Sequence, residues 1–222
     1  MYLEWMNTSR PRMSRAESQQ ETRNRLIESA VDLFAEHGVD ATSLVAVAEN
    51  AGFSRGAIHG NFTDKDELAS AAIAFVIADL GPELTQALGT AGPTNDRLAA
   101  YITTHVGYCR RQPARAAAII AAVGYLGRST RTGRPDADRP GEHTQSYARR
   151  SADSVADLVA LFQEGQARGE MREFDPIAMA LSLRAVLDTA VPTHTGIDAG
   201  EIVALFDHAT RAETARAQEA PQ

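Results

Sequence analysis

The residues best suited to chemistry lie between Thr42 and Leu68, in a stretch that mixes polar donors with apolar positions at helical spacing. Arg55 carries a planar guanidinium whose paired donors match O6 and N7 of guanine. Gly56 beside it has no side chain, so the backbone there could approach a nucleic acid closely. The hydroxyl and N–H groups of Thr42 and Ser43 suit phosphate oxygens at a helix start. These residue types predict DNA binding rather than catalysis.

Two short helices around a tight turn would hold these donors in place. Ser43 can cap the first helix, and Ser54 can cap the second. Gly52 stands between them, where a left-handed residue ends a helix at little cost. The small Ala48 lets the two helices cross closely, as a helix-turn-helix requires. Because the second helix of that unit presents its N-terminal residues to the major groove, Arg55 is predicted to contact a base edge.

The flanking residues make this pattern specific. The preceding segment TRNRLIESAVDLFAEHGVDATS is followed by the stretch AENAGFSRGAIHGNFTDKDEL. Residues 22–75 resemble the N-terminal domain of the TetR family of bacterial one-component regulators. The resemblance implies an all-α homodimer with a three-helix DNA-binding head and a larger helical body. That body would bind a small-molecule effector without any cofactor, and the two heads would read a near-palindromic DNA operator.

The resemblance also implies roles for three further residues in the head. Lys65, the only lysine of the chain, stands where the family places a phosphate-binding lysine. His59 replaces a tyrosine that usually touches DNA, and Gly60 is expected to face outward beside it. Val45 and Ala46 stand where family members often carry polar residues. These departures leave a second hypothesis open, a helical small-molecule-binding protein whose specific DNA binding is weakened or lost.

Local signals predict the helix boundaries. Ser18 and Glu21 have capping-box spacing and are expected to open the first helix, which Gly38 ends. Thr63 is expected to cap a fourth helix that runs to about Leu80, where Gly81 and Pro82 would break or kink it. Further helices are predicted at about 82–89, 94–111, 113–127, 144–167, 176–191 and 199–215, with a polar loop at 128–142.

These boundaries define a head at 18–66 and a ligand-binding and dimerisation body at 67–217. Residues 1–17 show no periodicity and are interpreted as a disordered extension, or as a stretch upstream of a true start at Met13. A basic arm that reaches the minor groove is the alternative interpretation. The helices at about 150–167 and 176–191 are predicted to form a four-helix bundle with their symmetry mates, since small residues on the second helix permit close approach.

Composition excludes several classes of protein. The net charge of −7 argues against a general nucleic-acid coat, and the single cysteine, Cys109, excludes an internal disulfide framework. No apolar run approaches the roughly 20 residues of a membrane span. The six histidines show no metal-ligand spacing, and no catalytic set or phosphate loop is visible. A cytoplasmic protein without a metal site, membrane segment or enzymatic activity is therefore expected.

An effector cavity is predicted in the body, where a few large or polar side chains interrupt many alanines. Such a mixture leaves space, and hydroxyl or imidazole groups orient a ligand. The residues expected to line the cavity are Phe75, Tyr101, His105, Tyr108, Cys109, Tyr125, Leu158 and Phe162. The alternative is that these side chains fill one another's gaps in a dry core. The mostly neutral lining favours a flat or greasy neutral molecule, and Phe75 would couple it to the head.

Overall fold

The protein is described from a computed structural model that covers residues 14–129, 142–191 and 196–212. Its described residues form helices joined by short connections, so the predicted all-α class is confirmed. The helices are α1 (Arg15–Ala41), α2 (Leu44–Asn50), α3 (Arg55–His59), α4 (Lys65–Leu88), α5 (Thr94–Arg111), α6 (Pro113–Ser129), α7 (Glu142–Ala167), α8 (Pro176–Ala185) and α9 (Ala199–Thr210). A π-helical turn at Val186–Ala190 continues α8.

Two helix starts differ from the sequence prediction. The capping box of α1 is formed by Ser14 and Glu17, so Ser18–Glu21 lies inside the helix. Ser14 and Glu17 have the same spacing as Ser18 and Glu21, and a helix that begins after Ser14 gains a further turn of backbone hydrogen bonds. Asp64 rather than Thr63 caps α4, because its carboxylate accepts the N–H three residues further on at 2.7 Å.

The helix-turn-helix is formed where its local signals predict, although Ser54 stands at the N-cap of α3 without a capping hydrogen bond from its side chain. The Ser43 hydroxyl accepts the N–H of Ala46 at 3.0 Å and so starts α2. Gly52 has a φ of 75°, which reverses the chain before α3. Val47 and Ile58 are fully buried where α2 and α3 meet α1. The outer surface of this unit is therefore left to polar residues and glycines.

α4 is one continuous helix, so the predicted break at Gly81 and Pro82 is wrong. A proline ring normally excludes helical backbone at the preceding residue by contact with its Cβ, and Gly81 has none. By length and composition α4 could cross a membrane, the only described helix of which this is true. Its residues Leu68 and Ile73 are, however, buried in the protein core, as in the central helix of a globular domain.

The buried side chains form two apolar clusters that meet along α4. The first cluster joins α1–α4 with α6, which contributes Ala118, Ala122 and Leu126. The second joins α5, α7, α8 and α9 around Leu158 and Phe162. Because α6 packs against α1, the body supports the first helix of the head. The division of the chain at 66 and 67 stays a prediction.

The body helices begin and end close to their predicted positions. α5 and α6 match the predicted segments to within two residues. Gly169, with a φ of 69°, follows the end of α7, and Asp175 caps α8 by accepting the N–H of Ile177 at 2.9 Å. α9 ends at Thr210 rather than near 215 because Arg211 takes extended backbone angles. The extension at 1–17 and the loop at 128–142 fall almost entirely outside the described residues.

Gly165 of α7 lies close to the side chains of Met171 and Thr94. A Cβ there would stand 2.7 Å from both Met171 Sδ and Thr94 Oγ1. Thr94 is fully buried, and its hydroxyl donates to Glu170 Oε2 at 2.8 Å, so it cannot move without losing a hydrogen bond. We expect Gly165→Ala to lower the free energy of unfolding by about 1–3 kcal/mol. Urea unfolding followed by circular dichroism measures the loss.

Gly107→Ala is the matched control, because Gly107 also lies inside a body helix. Its added Cβ would meet only the guanidinium of Arg111, at 3.2 Å, and this flexible group can move. Alanine also favours helix over glycine by about 1 kcal/mol. Gly107→Ala should therefore leave stability unchanged or raise it, and equal losses in the two variants would contradict the packing argument.

Candidate nucleic-acid interface and internal cavity

Arg55 is the most exposed cation of the helix-turn-helix. It is the first residue of α3, and 75% of its side-chain surface is accessible. Its Nη2 lies 3.8 Å from Oε1 of Glu49, itself 64% accessible. An exposed pair at this distance contributes little to stability, so the guanidinium can turn towards an external partner. Arg55 therefore has the freedom that a base contact requires.

Three other predicted contact residues, Gly56, His59 and Gly60, are also exposed on α3 or at its end. A Cβ at Gly56 would meet only the Ser54 hydroxyl, at 3.8 Å, so packing within the chain does not require glycine there. A Cβ at Gly60 would lie 3.3 Å from the Gly56 carbonyl oxygen, which gives that glycine a local structural role. The exposed surface of α3 thus offers the side chains of Arg55 and His59 as hydrogen-bonding groups.

The predicted phosphate contacts before α2 separate into one exposed and one buried residue. Ser43 is exposed at the N-terminus of α2. Thr42 is 4% exposed, its hydroxyl donates to the Gly38 carbonyl at 2.7 Å, and its N–H donates to Val39. Both donors of Thr42 are therefore used inside the protein. Thr42 fixes the end of α1 through these bonds, and the expected phosphate contact of its side chain stays a prediction.

Lys65 is the first residue of α4 and bonds to the end of α1. Its Nζ donates to the carbonyl oxygens of Val39 and Asp40, each at 3.0 Å. An ammonium has three donors, so one remains for an external acceptor. The carbonyls at a helix end also carry partial negative charge, which favours a cation there. Lys65 is therefore both a structural tie in the head and a cation near its surface.

Two other arginines of the head are engaged internally. Arg23 lies 4.1 Å above the ring of Phe62 and pairs with Glu67 at 3.1 Å. Arg25 lies 4.7 Å above the ring of Phe53 and donates to the Ala51 carbonyl at 3.0 Å. These cations brace the helix-turn-helix through cation–π contacts rather than extending to a partner.

A cavity of about 750 Å³ lies in the body between α4, α5, α6 and α8. The structure brings Tyr101, His105, Tyr108 and Cys109 together on its wall, four of the residues expected from sequence. Its remaining surface is mainly apolar and includes Ile73, Ile77, Leu84, Ile119, Ile120 and Val123. A cavity of this size with few polar groups is typical of a small-molecule site.

The other residues predicted for the cavity lie elsewhere. Phe75 turns to the other side of α4, where the Arg115 guanidinium lies 5.1 Å from its ring centre. Tyr125 donates to Asp66 Oδ1 at 2.7 Å, at the junction with the head. Leu158 and Phe162 are fully buried in the second apolar cluster. These four side chains do not line the cavity, because small rotations of a helix decide which of its apolar faces meets a cavity. Their contact with an effector stays a prediction.

The structure adds polar wall residues that the sequence did not single out. Arg184 and Asp188 lie on α8 and its π-helical extension, with Arg184 Nη2 2.8 Å from Asp188 Oδ2. Arg184 Nη1 donates to the Tyr101 hydroxyl at 3.1 Å, and His105 Nε2 lies 3.5 Å from Asp188 Oδ1. Asp157 of α7 completes the set. The i,i+4 spacing of Arg184 and Asp188 in an apolar helix was the available signal.

Cys109 lies next to this network without being a reactive thiol. Its Sγ is 3.8 Å from Nδ1 of His105. Burial, followed by the charge of Asp188, raises the pKa of the Cys109 thiol to about 11. The thiolate that nucleophilic chemistry requires is therefore scarce near neutral pH. Within the described residues no group of three or more metal-ligating side chains forms a metal site.

The helix-turn-helix residues match a known family of regulators. The family model described as bacterial regulatory proteins, tetR family, matches residues 26–72. This segment contains α2, α3 and the exposed Arg55. Residues 26–72 form a TetR-family domain.

Curated relatives of the TetR-family domain are transcriptional regulators. The HTH-type transcriptional regulator AcrR of Shigella flexneri is 47% identical over 51 residues, which cover 23% of this chain and 24% of that protein. TtgR of Pseudomonas putida is 47% identical over 55 residues, which cover 25% and 26% of the two chains. The matched segment thus spans about a quarter of each relative.

Solved structures extend the likeness to the body as fold alone. A tetR-family regulatory protein from Rhodococcus RHA1 has a TM-score of 0.68 at 22% identity and covers 85% of this chain and 94% of that chain. The ketosteroid transcriptional regulator KstR2 of Mycobacterium tuberculosis has a TM-score of 0.66 at 17% identity and covers 86% and 95%. The TetR-family domain is therefore followed by a helical body of the same fold as in these proteins.

Proposed function

We propose that this protein is a transcriptional repressor that leaves its DNA operator when a small molecule occupies the cavity. The observation that carries the proposal is the exposed Arg55 at the first turn of α3 in a TetR-family domain. Ser43, His59 and the remaining donor of Lys65 would supplement it. Binding an operator places the protein in the cytoplasm, with no membrane partner.

The proposal includes a homodimer, because one helix-turn-helix reads only part of an operator. The outer face of α8 supports it. Ile177 and Leu181 are 57% and 54% exposed, one helical turn apart, and Ala178, Ser182 and Ala185 are exposed beside them. These five side chains are uncharged, and the small ones would permit close approach of a symmetry mate. Leu181 and Ala185 also line the cavity, beside the partly accessible Arg184 and Asp188. α7 and α8 are therefore proposed as the dimer helices.

Coupling between cavity and head is proposed to run through α6 and α4. α6 lines the cavity with Ile119, Ile120 and Val123. The same helix contacts the head, since Tyr125 donates to Asp66 at 2.7 Å and Arg128 to Asp40 at 2.5 Å. A ligand that displaced α6 would move these head contacts with it. This route replaces the expected lever at Phe75, which does not reach the cavity.

An electrophoretic mobility-shift assay with DNA from upstream of the protein's own gene tests the proposed function. We expect a retarded complex that resists unrelated competitor DNA, and release of that DNA by a cavity ligand. The absence of any specific complex, together with ligand binding, would favour the alternative of a small-molecule-binding protein. Val45, Ala46 and Gly60, which offer DNA no polar side chain, are the observation that favours this alternative.

Lys65→Ala is expected to have two separable effects. Loss of a phosphate contact should weaken binding to all DNA sequences alike and reduce the salt slope by about 1. Loss of the hydrogen bonds to Val39 and Asp40 should lower the free energy of unfolding by about 1 kcal/mol. Binding measured across a salt series, with thermal unfolding alongside, separates the two. An unchanged salt slope with lower stability would show that Lys65 is structural only.

A further inference from the structure

The Tyr101 hydroxyl is a buried donor that faces the polar part of the cavity. Tyr101 lines the cavity and is only 2% exposed. Its oxygen accepts a hydrogen bond from Arg184 Nη1 at 3.1 Å. Burial raises the pKa of Tyr101, so the phenol keeps its proton near neutral pH. In the part of the chain that the structure describes, no side chain or carbonyl accepts that proton, and a buried donor without an acceptor costs free energy.

The charges around this hydroxyl disfavour an anionic ligand. The Arg184 guanidinium is paired with Asp188 at 2.8 Å, so an incoming anion would have to compete with that carboxylate. Asp157 contributes a second negative charge to the same wall. Arg184, Asp188 and Asp157 together carry two negative charges and one positive charge. Like charges in a site of low dielectric repel strongly, so a ligand carboxylate or phosphate would be costly here.

A cationic ligand would also leave the site unsatisfied. A cation offers no acceptor for the Tyr101 proton, and it would meet the Arg184 guanidinium that donates to the same oxygen. A neutral carbonyl or ether oxygen avoids both problems, because it accepts the phenolic proton without introducing charge. The apolar walls of α4 and α6 would cover the rest of such a molecule.

We propose that Tyr101 determines effector specificity by donating its hydroxyl proton to a neutral oxygen acceptor on a largely apolar molecule. The Arg184–Asp188 pair holds the phenolic oxygen in place, so the donor is preorganised for that contact. The identification of the molecule as an effector rests on the proposed regulatory function. The head-group preference itself does not depend on DNA binding.

Four pyrene derivatives of similar size test the head group on the purified protein without DNA. 1-Acetylpyrene offers a neutral carbonyl, 1-ethylpyrene lacks it, and 1-pyrenecarboxylate and 1-pyrenemethylammonium carry opposite charges. Equilibrium dialysis gives each dissociation constant. We expect the acetyl compound to bind at least roughly tenfold more tightly than either charged one. Tightest binding of the carboxylate, tightest binding of the ammonium compound, or no binding of any probe would each overturn the proposal.

Tyr101→Phe tests the donor itself. The ratio of acetyl to ethyl affinity should fall roughly three- to tenfold, because only the acetyl compound uses the hydroxyl. Tyr125→Phe is the matched control: it removes a hydroxyl outside the cavity, and any shift in conformational equilibrium acts equally on both probes. The control should keep the wild-type ratio. An unchanged ratio in Tyr101→Phe would refute the role of the hydroxyl.

Protein folding and DNA binding are checked separately. Circular dichroism verifies that each variant is folded, and the ranking of the four probes on the unmodified protein stands without any variant. Failure of the mobility-shift assay with a preserved acetyl preference would refute the regulatory function and leave the cavity assignment intact. A specific DNA complex without acetyl preference would refute the cavity assignment and leave the regulatory function intact.

Discussion

Ile177→Glu is expected to convert the proposed dimer into monomers and to weaken operator binding by at least roughly 100-fold. The side chain is 57% exposed on α8, beside the exposed Ala178 and Leu181. Two-fold symmetry would bring two added carboxylates into one interface, where burial of unpaired charge and mutual repulsion both act against association. Sedimentation velocity at micromolar concentration measures the assembly, and fluorescence anisotropy with a labelled operator measures binding.

Leu205→Glu is the control for this substitution. Leu205 is 60% exposed and lies on α9, outside the proposed dimer helices. The added charge and the lost apolar surface are similar, so both assembly and operator affinity should remain those of the unmodified protein. A dimer that survives Ile177→Glu but dissociates with Leu205→Glu would move the interface to α9.

Arg55→Ala is expected to cost about 1–3 kcal/mol of operator binding and to relax sequence choice at the contacted base pair. The reason is its position at the start of α3, with most of the side chain accessible. Affinity for the operator and for single-base variants, measured at one salt concentration, gives both quantities. If affinity and sequence preference were both retained, Arg55 would not be a base contact.

Glu49→Gln removes a negative charge next to Arg55, so its effect on operator affinity should be opposite to that of Arg55→Ala. Glu49 lies 3.8 Å from the Arg55 guanidinium and would also repel phosphate. Its neutralisation should therefore strengthen operator binding modestly, by no more than roughly 1 kcal/mol for an exposed charge. A gain with Glu49→Gln and a loss with Arg55→Ala would together place the guanidinium at the DNA.

The sequence by itself determined the helix-turn-helix and the order of the helices. Ser43 as a cap, Gly52 as the turn and Arg55 at the next helix start act within a few residues of one another. Their structural effects are local, since caps and left-handed glycines depend on neighbouring backbone groups. The same is true of Asp175 before α8. This is why most predicted boundaries agree with the structure to within a few residues.

Some local signals were present but had more than one solution. Ser14 and Glu17 have the same capping-box spacing as Ser18 and Glu21. The first pair forms the cap because the helix that begins there is longer. Gly81 makes Pro82 compatible with a continuous helix, although the pair also reads as a break. In such cases the tertiary contacts of the complete helix select the outcome, because each added turn gains buried surface and backbone hydrogen bonds.

Only the tertiary structure decided which side chains share the cavity. α4 is apolar on several faces, so its sequence does not show that Ile73 and Ile77 meet the cavity while Phe75 packs beside Arg115. Thr42 and Lys65 read as exposed contacts, yet both bond to backbone carbonyls at the end of α1. Arg184 meets Tyr101, 83 residues earlier in the chain, only because the fold brings the two side chains together. Contacts between residues far apart in the chain depend on helix rotation and crossing, which periodicity within one helix does not encode.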